Sequence, residues 1–244
     1  MQQEFTPGLY IVAGPIGNLG DISLRALDVL GRAAVVYAED TRVTGKLLAA
    51  HAVQVPMRSL REAMPTNLFE KAATDVVERV RAGEIVAYVT DAGTPGVSDP
   101  GNRLVAVLRR VGLPVYPVPG ASAVTALLSV AGLPVQRPLF VGFLPKKKGH
   151  QTMVKQLLEA LRSDLCDSVV LFESPERLLK MLTEFQSIEE SICVVVGREL
   201  TKKFEEILAG PATQVIAELS ARPGGVKGEL VVLLHMPYNR ESYA

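Results

Sequence analysis

Apolar residues along this chain alternate between two patterns: short runs rich in Val, Ile and Tyr, and longer stretches whose apolar positions recur every three or four residues. The first pattern reads as buried strands, the second as amphipathic helices. Strands are predicted at Leu9–Ala13, Val35–Ala38, Ile85–Thr90 and Pro114–Val118. Helices are predicted over Ile22–Arg32 (with Asp21 as N-cap), Arg42–Ala50, Asn67–Arg81, Asn102–Val111 and Ala121–Ala131. After Pro134 the pattern continues with strands at Leu139–Phe143, Ser168–Phe172 and Ile192–Gly197, a short one near Phe204–Leu208, and a last one at Glu229–His235. Between them lie helices ending near Arg162 and spanning Pro175–Phe185 and Ala212–Ser220.

Regular alternation of strand and helix calls for an α/β protein with a mostly parallel sheet covered by helices. The change of texture suggests two α/β domains, residues 1–118 and 119–244, hinged near Pro117–Ser122. The loops that follow the strands of such a sheet are where it binds ligands.

Composition narrows the function classes. With 244 residues, 48% of them apolar, the chain can build real cores. No run approaches the roughly 18 apolar residues of a membrane span, and the N-terminus carries no basic segment followed by a long apolar one. Cys166 and Cys193 match no metal-ligand spacing and read as buried thiols. A cytoplasmic protein with no membrane partner is expected. Basic and acidic residues balance at 26 each, with twelve of each sign through Ala121 and fourteen of each beyond it. Counterion-release binding to nucleic acid usually goes with a basic excess, so any such contact must come from local clusters.

Three strand-following loops carry candidate chemistry. AGPIGNLGD (Ala13–Asp21) spaces its glycines G-x-x-G-x-x-G, whereas a dinucleotide fingerprint needs G-x-G-x-x-G; Pro15 also supplies no amide. Alone, this segment is as readily a bare turn as a ligand loop. VTDAGTPGVSDPG (Val89–Gly101) is long, rigid and small-residued, which suits a ligand lying against main chain. PVPGASAVTA (Pro117–Ala126) is a small-residue entry to a helix, whose first amides can meet a polar ligand. His51, His150 and His235 are scattered and form no ligand cluster, so no metal is expected.

Eight segments occur in order: AGPIGNLGD, AEDTR (Ala38–Arg42), VTDAGTPGVSDPG, PVPGASAVTALLSVAGLP, FVGFLP (Phe140–Pro145), LFESPERL (Leu171–Leu178), GRELTKKFEE (Gly197–Glu206) and GVKGELVVLL (Gly225–Leu234). Together they resemble the ribosomal RNA small subunit methyltransferase I family of the tetrapyrrole methylase superfamily, from about Gly8 to His235. One stretch, SLREAMPTN at Ser59–Asn67, departs from the His- and Asn-containing pattern usual in that family.

The resemblance implies a two-domain fold with a mostly parallel N-terminal sheet, a mixed C-terminal sheet and S-adenosylmethionine bound in the cleft between them. It implies a homodimer that 2′-O-methylates a decoding-centre cytidine of 16S rRNA, and the neutral total charge suggests that the substrate is that RNA within a preassembled small ribosomal subunit. Carried residue by residue, it assigns Pro15 to the floor of the cofactor site and Asp91, Ala92, Gly93, Thr94, Pro95, Val97 and Ser98 to its long loop. Thr94 stands where the superfamily has an aspartate, a role nearby Asp91 is expected to share. Ser122 and Ala123 match the adenosine side, Glu173 and Ser174 follow a second-domain strand, and Gly210 and Gly228 match the far wall.

A ribose hydroxyl must lose its proton as the carbon–oxygen bond forms. Glu39, Glu199 and Lys202 are the candidate catalytic groups, Lys202 on condition that Arg198 and Lys203 lower its pKa by like-charge repulsion. RNA contacts are expected from Arg42, Lys146, Lys147, Lys148, Lys155, Arg198 and Lys203, with His150 in the same loop as the lysines. Three other readings stay open: a methylase of this fold acting on a tetrapyrrole or on a modified elongation-factor histidine, a nucleotide-dependent oxidoreductase (disfavoured by the glycine spacing), and an inert RNA-binding or assembly factor.

Overall fold

A computed structural model of the protein describes residues 5–61, 64–96, 101–163 and 165–236. The chain divides into two compact units, Met1–Ser122 and Ala123–Ala244.

The first unit runs β1 (Gly8–Val12), α1 (Leu24–Arg32), β2 (Val35–Ala38), α2 (Thr41–Ala50), β3 (Met57–Ser59), α3 (Thr66–Arg81), β4 (Ile85–Val89), α4 (Gly101–Arg110) and β5 (Val115–Val118). Its five strands pair in parallel in the order β3-β2-β4-β1-β5. Right-handed crossovers then dictate the layers. The connections β1 to β2 and β2 to β3 move one way along the sheet; β3 to β4 and β4 to β5 move the other. Accordingly α1 and α2 pack on one face (Ala26, Val29, Leu30, Leu47, Leu48) and α3 and α4 on the other (Phe69, Ala73, Val76, Val77, Val80, Leu104, Leu108). Adjacent strands β1 and β4 thus send their following segments to opposite faces, which leaves a crevice at their C-terminal ends.

The second unit runs α5 (Ala123–Val130), β6 (Pro138–Phe143), α6 (His150–Arg162), β7 (Ser168–Glu173), α7 (Pro175–Ile188), β8 (Cys193–Arg198), β9 (Glu206–Pro211), α8 (Ala212–Ser220) and β10 (Leu230–His235). The strand order is β6-β7-β10-β8-β9, with β6 parallel to β7 and every other pair antiparallel. Helices α6, α7 and α8 cover one face, toward which Val169, Leu171, Val194, Val196, Val232 and Leu234 point. On α7 the buried residues Leu178, Met181, Leu182 and Phe185 make one apolar stripe at three- and four-residue spacing. Each such side chain contributes about 1.5–3 kcal/mol by leaving water.

Four local expectations change. Helix α1 is capped by Ser23, whose Oγ accepts from the Ala26 amide; Asp21 instead closes a short 3-10 turn, Leu19–Asp21, capped by Asn18. Strand β3 has no counterpart in the sequence reading, because three mostly exposed residues at a sheet edge carry no alternation to detect. The strand expected near Phe204–Leu208 is β9, two residues later: Phe204 lies in the turn before it. Cys166 is buried, but Cys193 is only half-buried at the start of β8. No helix among the described residues is long and apolar enough to cross a membrane.

Candidate active site

In the first unit the segments after β1, β4 and β5 are tied together by main chain. The Gly14 amide donates to Gly93 O (2.9 Å), and the Gly93 amide donates to Pro15 O (3.2 Å). Ala13 donates to Val118 O (3.1 Å), and Thr94 Oγ1 donates to Ala121 O (3.1 Å). Gly93 is buried with φ +72°, and a Cβ there would lie 3.1 Å from Ile16 Cγ2. A side chain at 93 is therefore excluded by both conformation and space. Pro95 is buried beside it. The result is a cradle whose walls are backbone, Pro15, Ile16, Ala92 and Thr94. Val97 and Ser98 lie outside the described residues.

The end of β2 is stitched to the same loop. Glu39 donates its amide to Val89 O (3.2 Å) and its Oε2 accepts from the Asp91 amide (3.4 Å). Asp91 Oδ1 accepts from the Asp40 amide (2.9 Å), so Asp91 braces AEDTR, while Thr94 makes its own contact with Ala121. Asp40 caps α2 through the Arg42 amide (2.8 Å) and also grips the Arg42 guanidinium, which holds the Asp40 carboxyl far below the usual carboxylate range. Arg42 remains largely exposed. Ser122, just before α5, is half-buried, as is Ala123 at its first position.

In the second unit, GRELTKKFEE forms a tight turn between β8 and β9. Two of its non-glycine residues, Glu199 (φ +50°) and Thr201 (φ +66°), are left-handed. Side chains in that region persist only where surroundings over-determine them. Here the Glu199 amide donates to Glu229 O (2.9 Å), and Glu199 Oε1 accepts from the Glu229 amide (2.8 Å) and from Lys202 Nζ (3.1 Å). The Glu229 amide, and then the Lys202 ammonium, hold the Glu199 carboxyl below its ordinary value.

Lys202 also pairs with Glu229 Oε2 (2.9 Å). Burial pulls the Lys202 pKa down, but Glu229 and Glu199 outweigh it and the net direction is up. The expected lowering by Arg198 and Lys203 is thereby reversed, because Arg198 turns away to Glu206 (2.9 Å) and Lys203 is exposed, 5.5 Å from the Phe204 ring centre. A second feature escaped sequence reasoning: Thr201 Oγ1 is buried with no hydrogen-bond partner among the described residues.

The remaining assigned residues take other places. Glu173 is buried, accepting from the Ser174 amide and from Arg177 Nε (both 2.6 Å), and Arg177 in turn donates to Leu144 O (3.2 Å). His150 bridges Pro145 O (2.8 Å) and Glu184 Oε2 (2.7 Å), so it braces the lysine loop from below. Lys146, Lys147, Lys148 and Lys155 are exposed. Gly210 sits in β9, and Gly228 lies directly against Glu199.

Residues 8–216 match the family model of tetrapyrrole (corrin/porphyrin) methylases. A protein of Neisseria meningitidis serogroup A named ribosomal RNA small subunit methyltransferase I is 41% identical over 93% of this chain and 75% of its own length. A protein of the same name from Borrelia garinii subsp. bavariensis is 41% identical over 93% of this chain and 97% of its own. The chain belongs to the tetrapyrrole methylase family, in its ribosomal RNA small subunit methyltransferase I branch. Solved structures of the family share the fold. A cobalt precorrin-4 methyltransferase superposes with a TM-score of 0.62 at 22% identity, covering 93% of this chain and 94% of that one. A uroporphyrin-III C-methyltransferase from Thermus thermophilus, complexed with S-adenosylhomocysteine, gives 0.60 at 19%, covering 93% and 97%.

Membership in this branch makes the chain a methyltransferase and sorts the two groups of features. The cradle at the ends of β1, β4 and β5 is built from glycines, prolines and small residues that the sequence displays openly. The Glu199–Lys202–Glu229 cluster required the antiparallel pairing of β8 with β10 to be known, and no spacing signal links residue 229 to residue 199.

Proposed function

We propose that this methyltransferase uses S-adenosylmethionine to methylate the ribose 2′-hydroxyl of a decoding-centre cytidine in 16S rRNA, acting on the small ribosomal subunit as a cytoplasmic homodimer. The single observation that carries the cofactor reading is the buried, left-handed Gly93, seated on Ile16 and bonded to both Gly14 and Pro15. It keeps side chains out of the crevice at a switch point of the sheet, where a ligand can lie on main chain. Pro15, Asp91, Ala92, Gly93, Thr94 and Pro95, with Val97 and Ser98 beyond the described segment, would line that site. Ser122, Ala123, Glu173, Ser174, Gly210 and Gly228 complete the assignment carried from the family.

Bound S-adenosylmethionine supplies an electrophilic methyl on a good leaving group. What remains for the protein is alignment of the hydroxyl and removal of its proton. Glu39 and Glu199 are the two carboxylates proposed to accept that proton. Lys202, held charged by two carboxylates, serves as a cation that orients Glu199 rather than as a base. Arg42, exposed and preset by Asp40, has the forked geometry to clamp a phosphate. Arg198 and the exposed Lys146, Lys147, Lys148, Lys155 and Lys203 complete the RNA contacts.

The test is incubation of the purified protein and labelled S-adenosylmethionine with small subunits from cells lacking this enzyme. The expected product is one cytidine resistant to alkaline cleavage on its 3′ side. Label on a base, or none on the RNA, would reject the reading.

A further inference from the structure

Strand β6 ends in an aromatic cluster that the reaction does not use. Phe140 pairs with Val170 and Phe143 with Phe172, so β6 advances three residues while β7 advances two. The extra residue is a bulge, and Gly142 within it has φ +65°. Without the bulge, Phe140 and Phe143 would point to opposite faces of the sheet. With it, both rings meet Phe172, at centroid distances of 5.1 Å and 5.6 Å.

The three rings lie on the face opposite α6, α7 and α8, since Val169 and Leu171, the β7 residues of alternate parity, belong to the core under those helices. Phe143 is the outermost, 57% exposed. A core ring has no reason to be carried to the surface by a bulge. A stacking surface does.

The next residues are Leu144, buried, then Pro145 and the exposed Lys146, Lys147 and Lys148. Among the described residues none of these lysines pairs with a carboxylate: Glu184 is taken by His150 and Glu173 by Arg177. The segment between ring and lysines is fixed rather than loose, because Arg177 holds Leu144 O and His150 holds Pro145 O. An exposed ring, a short braced spacer and uncompensated cations form the pattern by which proteins hold single-stranded nucleic acid, the ring taking a base and the cations its phosphates.

We propose that Phe143 is a stacking platform for one unpaired nucleobase of the RNA substrate, with Lys146, Lys147 and Lys148 holding the phosphates of the same strand. This deepens the RNA reading above and rests on it. It also explains how a chain of zero net charge holds RNA: the contact is local, and part of it is uncharged.

The chain contains no tryptophan, so Phe143→Trp introduces a sole indole at the platform. Titration with a single-stranded oligoribonucleotide of about ten nucleotides should quench its emission to saturation, whereas Leu24→Trp, exposed in the other unit, should not respond. Phe143→Leu keeps an apolar cover on Phe172 but loses the π-face, and should weaken binding of the same oligonucleotide by about 5- to 100-fold. Cofactor affinity should stay unchanged.

If the unaltered protein binds the oligonucleotide and Phe143→Leu binds it equally, the platform is wrong and the RNA reading stands. If the unaltered protein does not bind the oligonucleotide, the platform is overturned, and the RNA reading is decided separately by the methylation of small subunits described above. If the indole responds to protein concentration and not to RNA, a second copy of the chain covers this face and the proposal is overturned.

Discussion

Glu199 occupies the space that a side chain at position 228 would need: a Cβ on Gly228 would lie 2.5 Å from Glu199 Cγ. Gly228 also has φ +96°, which L side chains resist. Gly228→Ala is therefore expected to expel the Glu199 carboxylate from its bonds to the Glu229 amide and Lys202. The loss should be about 1–3 kcal/mol in urea unfolding. In a Glu199→Ala background the same substitution should cost clearly less. Additive losses in that double-mutant cycle would show the two positions to be energetically independent.

Loss of the cradle should be specific. Gly93→Leu places a branched side chain against Ile16 and is expected to abolish calorimetric binding of S-adenosylmethionine while the protein still unfolds cooperatively. Unchanged affinity in that folded variant would remove the cofactor from this loop.

The lysine loop should show itself through salt. Each phosphate contact to a single strand contributes about 0.7 to the slope of log affinity against log salt. Replacing Lys146, Lys147 and Lys148 with alanine should flatten the slope for an oligoribonucleotide by about 2. An unaltered slope would make these lysines a solvated surface.

Glu206 accepts from Arg222 through both carboxylate oxygens and from Arg198, and these guanidinium groups, Arg222 foremost, depress its pKa from 4.5 to about 2. A carboxyl depressed on folding stabilises the folded state above its unfolded value, and that contribution fades as pH falls from about 4.5 toward about 2. The stability gap between the unaltered protein and Glu206→Gln should be constant near neutrality and close across that window. A gap that persists at pH about 2 would show that the pairing is not what Glu206 contributes.

Turnover separates the two carboxylates. Whichever of Glu39 and Glu199 accepts the proton, its glutamine variant should lose about 10²–10⁴-fold in single-turnover rate with cofactor affinity retained. Lys202→Met should act through Glu199 and shift the acid limb of the pH–rate profile upward, since it removes a cation that depresses that carboxyl. If both glutamine variants keep near-normal rates, alignment alone carries the transfer.

The fold was largely legible because its signals are periodic. Buried strands such as Val35–Ala38 and the 178/181/182/185 stripe of α7 announce themselves locally. The strand β3 did not, being too short and exposed for a pattern. Among candidate site residues, Gly93 and Pro95 are visible as composition, whereas the environment of Lys202 is not. Neighbours in sequence, Arg198 and Lys203, suggested a lowered pKa, and a residue 27 positions away, Glu229, decided the opposite. Charge environments are set by topology, which spacing does not encode.

The first-unit cradle is joined by amides and carbonyls: Gly14 to Gly93, Gly93 to Pro15, Ala13 to Val118. Truncating a side chain leaves every one of those bonds intact. Trimming only the larger side chains of these loops would thus leave the frame of the cradle standing. The informative perturbations are those that act on the main chain itself, such as added Cβ atoms, removed prolines or inserted residues.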